Sequence, residues 1–132
     1  MIDRRRALLI RRGAPPLKGQ WSIPGGTLEL GETLEEGVRR ELWEETGLEV
    51  CVGELIEAFE RIFPDAEGRL EYHFVILDYL CEPMSGVARA GSDVTDVAWA
   101  REEDLETYAL TPTATRILQK AFKMARGRET PA

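Results

Sequence analysis

The chain has 132 residues, a length that suits one domain with a real core, and 43% of them are hydrophobic, which argues against a disordered chain. A net charge of −7 disfavours a nucleic-acid duplex or an anionic membrane surface as the main partner. No apolar run reaches the roughly eighteen residues of a membrane span, and the apolar part of "MIDRRRALLIRRG" is too short for a secretory signal, so a soluble, cytoplasmic protein is expected.

In chain order, "RRALLIRR" reads as a strand buried on both faces. "GAPPLKGQ" reads as a loop, "WSIP" as a short extended piece and "GGTLELGE" as irregular. From Thr33 to about Thr46 the pattern is helical, with Thr33 and Glu36 as a capping box and Gly47 as the C-terminal stop. "EVCVGELIEAFERIF" and "RLEYHFVILDYLCE", separated by "PDAEG", predict a hairpin of two long strands. After the loop "PMSGVARAGSD", "VTDVAWA" is a strand and "REEDLETYAL" holds a helical turn. A last helix starts at Thr111 and Pro112, buries Ile117, Leu118, Ala121, Phe122 and Ala125, and stops at Gly127. Strands flanked by two helices predict one domain over 1–132, an α/β fold of the α/β/α sandwich type with a central mixed sheet. Cys51 and Cys81 are expected to be buried free thiols. With no C-x-x-C, a structural zinc site is not expected.

Charge is unevenly spread. Residues 1–24 hold Arg4, Arg5, Arg6, Arg11, Arg12 and Lys18 against Asp3, while residues 25–49 hold eight glutamates against Arg39 and Arg40. On a helix, Glu41, Glu44 and Glu45 fall within about 100° of arc. They lie beside an apolar stripe of Leu34, Val38 and Leu42, with Glu36, Arg39, Arg40 and Trp43 on the other side. Like charges at i,i+4 repel, and more so at a core boundary. Either the face is simply solvated, or a hard divalent cation, Mg²⁺ or Mn²⁺, neutralises it through carboxylate oxygens.

The spacing G-x5-E-x7-R-E-L-x-E-E-x-G-L from Gly26 to Leu48 is similar to the Nudix box, with every specified position filled. The entry "WSIPGG", the hairpin, "VTDVAWA" and the last helix also follow that family's order. The resemblance implies Mg²⁺-dependent hydrolysis of a nucleoside diphosphate linked to another group. It implies that Glu41, Glu44 and Glu45 supply metal ligands and base, that Arg40 orients a glutamate, and that Glu32 is auxiliary. The carbonyl of Gly25 or Gly26 would complete a metal's shell. Asp93, six residues before Trp99, takes the place of a loop acid that reaches the metal, although the family usually has Glu there. Arg11 and Arg12, at the end of the first strand, match a position that holds substrate phosphate or base. Ordinary surface arginines are the other reading.

Within the family, Pro64, sixteen residues after the box, resembles ADP-ribose pyrophosphatases, so ADP-ribose or a similar sugar nucleotide is the first expectation. A MutT-like (d)NTP pyrophosphohydrolase is the alternative. A non-catalytic nucleotide sensor is a third reading, disfavoured because no box glutamate is lost. His73 is the only histidine and sits mid-strand without a catalytic signature. Phe59, Phe63, Tyr72 and Phe74 either pack in the core or stack on a base. Members of the family usually carry a further strand before "ALLI", where this chain almost begins. The expectation is a shortened chain or an open sheet edge which, with an exposed Trp43, would favour a homodimer.

Overall fold

The computed structural model describes residues 1–15 and 17–129. Pro16, in the predicted loop "GAPPLKGQ", and residues 130–132 of the predicted domain lie outside them. The elements are β1 (Ile2–Asp3), β2 (Arg6–Arg12), β3 (Trp21–Ser22), α1 (Leu34–Thr46), β4 (Glu49–Pro64), β5 (Leu70–Ser85), β6 (Val94–Arg101), a 3₁₀ segment (Glu102–Tyr108) and α2 (Pro112–Glu129).

β2 is the spine of the molecule. It pairs with β6 along its whole length on one side, and on the other with β1 at its start and β3 at its end. β4 and β5 form a separate long hairpin, and β1 lies against β5. Every pairing among the described residues is antiparallel, and the strands divide into two sheets rather than one.

The α/β/α layering follows from the alternation of β2. Ala7 and Leu9 face a core with Ala100, Leu105 and the α2 residues Ile117, Leu118, Ala121 and Phe122. Leu8 faces the opposite core, built on Leu42 of α1 with Leu48, Val50 and Cys81. A strand buried on both faces must be apolar throughout, which is why "ALLI" contains no polar residue. Among the described residues no helix is long and apolar enough to cross a membrane.

The predicted caps of α1 are present. Thr33 Oγ1 accepts from Glu36 N–H, Glu36 accepts from Thr33 N–H, and Gly47 closes the helix at φ 71°.

Four expectations need correction. The chain does form a strand before "ALLI": β1 turns back onto β2 through Arg4 and Arg5, both at positive φ, and covers part of the β2 edge. α2 runs two residues past Gly127 to Glu129, where Arg128 ion-pairs with Glu54 and Glu82 of the hairpin. Cys51 is exposed while Cys81 is buried, since Val50 takes the inward position on β4. Leu34 is 43% exposed, and α1 instead buries Gly37, Leu42 and Thr46.

Candidate active site

The glycine turn before α1 and the last turns of α1 are fastened together. Gly25 N–H donates to Glu45 Oε1 at 2.7 Å. Glu41 lies over Gly26 so closely that a Cβ there would overlap its carboxylate, so only glycine admits this contact. Gly37 plays the same part for Leu28, whose methyl would meet a Cβ at 2.7 Å. The irregular segment thus folds back along one face of the helix.

Arg40 is the hub of that face. Its Nε and Nη2 donate to the two oxygens of Glu32 at 2.6 and 3.0 Å, a bidentate fork. Nη2 also donates to the Thr27 carbonyl at 2.8 Å, and Nη1 to Glu41 at 2.8 Å and Glu44 at 3.1 Å. The Glu29 carboxylate completes the cluster at 3.5 Å. These hydrogen bonds hold the Glu32 carboxyl below its usual range and raise Arg40 above its own. The placement of Arg40 opposite the carboxylates is therefore corrected. Helical angle locates its Cα, but its long side chain sweeps round to Glu44, one turn on.

Glu45 is set apart from this cluster. Burial is the main cause that pushes its carboxyl up to about 7. The Gly25 hydrogen bond opposes the rise, Glu41 adds to it, Arg12 opposes it, and Asp93 adds to it. Asp93 is brought there by the β5–β6 loop, which wraps the C-terminal end of α1. Arg89 N–H donates to Thr46 O at 2.9 Å and Gly91 N–H to Glu45 O at 3.1 Å, satisfying carbonyls that a helix end leaves open. Gly13 N–H donates to Asp93 O at 2.7 Å, which ties the loop to the end of β2.

A cleft of about 610 Å³ opens over the glycine turn. Gly25, Gly26, Glu41 and Arg12 line it on one side, and Phe59, Arg61 and Phe74 of the hairpin on another. The two arginines expected to meet substrate are separated. Arg12 lines the cleft, whereas Arg11 is exposed and donates to Gly19 O at 3.0 Å in the β2–β3 loop. Neighbours on a strand point to opposite faces, so the two side chains leave β2 on opposite sides. His73 is exposed and meets Glu60 at 3.2 Å. The Thr27 carbonyl escaped the sequence reading, as did Arg61 on the hairpin wall, whereas Phe59 and Phe74 were already read as either core or base-stacking residues. Alternation along β4 and β5 marks the wall's face, but nothing in it marks the cleft.

As the side chains stand, no three His, Cys, Asp or Glu among the described residues converge on a metal ion. Arg40 engages Glu32, Glu41 and Glu44. The donor set still suits a hard dication. It consists of carboxylate and glycine carbonyl oxygens, and Glu45, crowded by Glu41 and Asp93, would ionise more readily beside a positive charge.

Comparison with known proteins agrees with this geometry. The family model described as the NUDIX domain matches residues 1–121. A MutT-like protein of Streptomyces ambofaciens is 39% identical over 86% of this chain and 66% of its own length. An ADP-ribose pyrophosphatase of Methanocaldococcus jannaschii is 36% identical over 69% of this chain and 52% of its own length. The chain thus spans less than two thirds of these two relatives. The nucleoside triphosphatase NudI of Escherichia coli K12 is 34% identical over 82% of this chain and 79% of its own. Among solved structures, a MutT NUDIX hydrolase from Burkholderia pseudomallei superposes with a TM-score of 0.74 at 28% identity, covering 91% of both chains. The NUDIX domain of Shewanella oneidensis NrtR, complexed with ADP ribose, gives 0.70 at 25% identity, covering 95% of this chain and 78% of its own. With the complete box carried on the glycine turn and α1, the chain belongs to the Nudix family.

Proposed function

We propose that the chain is a divalent-metal-dependent pyrophosphohydrolase of nucleoside diphosphate derivatives. The observation that carries this reading is the convergence of Glu41 and Glu45 on the Gly25–Gly26 turn at the wall of an open cleft. Glu41, Glu44 and Glu45, with the Gly25 or Gly26 carbonyl, would hold Mg²⁺ or Mn²⁺. Bound there, the ion would polarise phosphoryl oxygens and lower the pKa of bound water. Arg40 holds Glu41 and Glu44 in position and keeps Glu32 ionised as an auxiliary partner or ligand. Glu45 and Asp93 are the groups placed to accept a proton. Arg12 reaches the cleft as a cation for substrate phosphate.

Two substrate classes were expected from the sequence. A nucleoside triphosphate has the better support, because the NudI relative aligns over most of both chains. ADP-ribose is the second reading, supported by the archaeal relative and by the ligand in the NrtR structure. The test is a panel of ADP-ribose, dinucleotides and (d)NTPs, scored by kcat/KM with products identified, with Mg²⁺ present and after chelation. Triphosphate turnover at least about tenfold above ADP-ribose, lost on chelation, is expected. The reverse order would select ADP-ribose. Turnover that survives chelation would remove the metal reading.

A further inference from the structure

The cleft has a second wall whose chemistry differs from the first. Along β5, alternate residues share a face, so Tyr72, Phe74 and Ile76 form one row. Pairing sets Phe63 opposite Tyr72, Arg61 opposite Phe74 and Phe59 opposite Ile76, which adds a parallel row from β4 to the same face. Phe59, Arg61, Phe74 and Ile76 of these rows line the cleft.

The aromatic residues are not consumed by the core. Phe59 is half-buried and packs against the α2-side core, which anchors the face. Phe74 is 47% exposed and Tyr72 53%. Their rings stack at 5.7 Å with planes 10° apart, and Phe63 meets Phe74 edge-on at 6.3 Å. Arg61 lies over the Phe63 ring at 4.9 Å, so its guanidinium sits on this face. Preorganised rings left open to water, beside a site built for phosphates, are suited to covering by another flat apolar group.

Resting on the hydrolase reading, we propose that Phe74, fixed by its ring contacts with Tyr72 and Phe63, is the stacking platform for the substrate's nucleobase, with Arg61 beside it. A nucleotide has the same division as the cleft. Its polyanionic end suits the metal, glycine turn and Arg12, and its neutral aromatic end suits the hairpin. Stacking is indifferent to base identity, since every base offers a π-face. Phe74 would therefore set the preference for nucleosidic over base-free diphosphates, not the choice among bases.

The experiment compares wild type, Phe74→Ala and Phe74→Tyr on the best nucleotide of the panel and on a base-free ribose diphosphate. Phe74→Ala is expected to raise KM for the nucleotide about tenfold or more, with kcat nearly unchanged and the base-free substrate unaffected. Phe74→Tyr, which keeps the ring, is expected to restore the preference. Circular dichroism and sedimentation accompany each variant. An unchanged nucleotide-to-base-free ratio in Phe74→Ala would overturn the platform while leaving the hydrolase reading intact. So would equal loss on both substrates, or a change in association state with the ratio preserved. A wild type inactive on every diphosphate would overturn both.

Discussion

The raised pKa of Glu45 makes the stability of the metal-free protein depend on pH. In the unfolded chain this carboxyl ionises near the ordinary value of 4.5, and in the fold it keeps its proton to about 7. The folded state binds the proton more tightly, so the contribution is fully present below about 4.5 and lost as pH rises through 7. The difference between 4.5 and about 7 corresponds to ~3 kcal/mol at most. Partial exposure and solvent screening reduce this to ~2 kcal/mol. For a chain of this size that is on the order of 6–10 °C in Tm. Glu45→Gln mimics the protonated acid and keeps an oxygen to accept from Gly25 N–H. In thermal melts with chelator from pH 4.5 to 9, wild type is expected to lose stability relative to the variant between about pH 4.5 and 7 and to level off above that. Above pH 8 the variant should be the more stable of the two. Mg²⁺ should restore wild type at high pH and do little for the variant. Parallel wild-type and Glu45→Gln curves, with no divergence between about pH 4.5 and 7, would refute the argument that burial beside Glu41 and Asp93 holds the proton.

Two further predictions concern activity. Gly26→Ala places a Cβ onto the Glu41 carboxylate, so kcat/KM and Mg²⁺ affinity are expected to fall about a hundredfold or more while circular dichroism keeps the fold. Wild-type Mg²⁺ titration curves from that variant would show that the turn does not position Glu41. Asp93→Asn keeps the loop, which is held through the Asp93 carbonyl and Gly91, but removes a charge that acts on Glu45. Its expected signature is a lower apparent pKa in the pH–rate profile with a modest loss of rate. A profile superimposable on wild type would make this acid a bystander.

The local code of the chain settled much of the architecture. A capping threonine with Glu36, a closing Gly47 and period-two apolar strands depend on neighbours within a few residues, so α1, the hairpin and α2 could be read in order. The box spacing likewise put Glu41, Glu44 and Glu45 on one arc of α1, because helical geometry is fixed by sequence separation. Contacts made across the chain could not be read this way. Arg40 looks misplaced by helical angle, yet the chain doubling back at Gly25–Thr27 brings Glu32 and a backbone carbonyl to it. Arg11 and Arg12 are equivalent as residues, and only the facing of β2 assigns Arg12 to the cleft and Arg11 to the β2–β3 loop. The two-residue β1 has no periodicity to reveal it and exists through its pairing with Arg6 and Ala7. Residue type and spacing thus determined which chemical groups the chain carries. Only tertiary packing decided which side chains meet, since long side chains and strand facing place groups by contacts far apart in sequence.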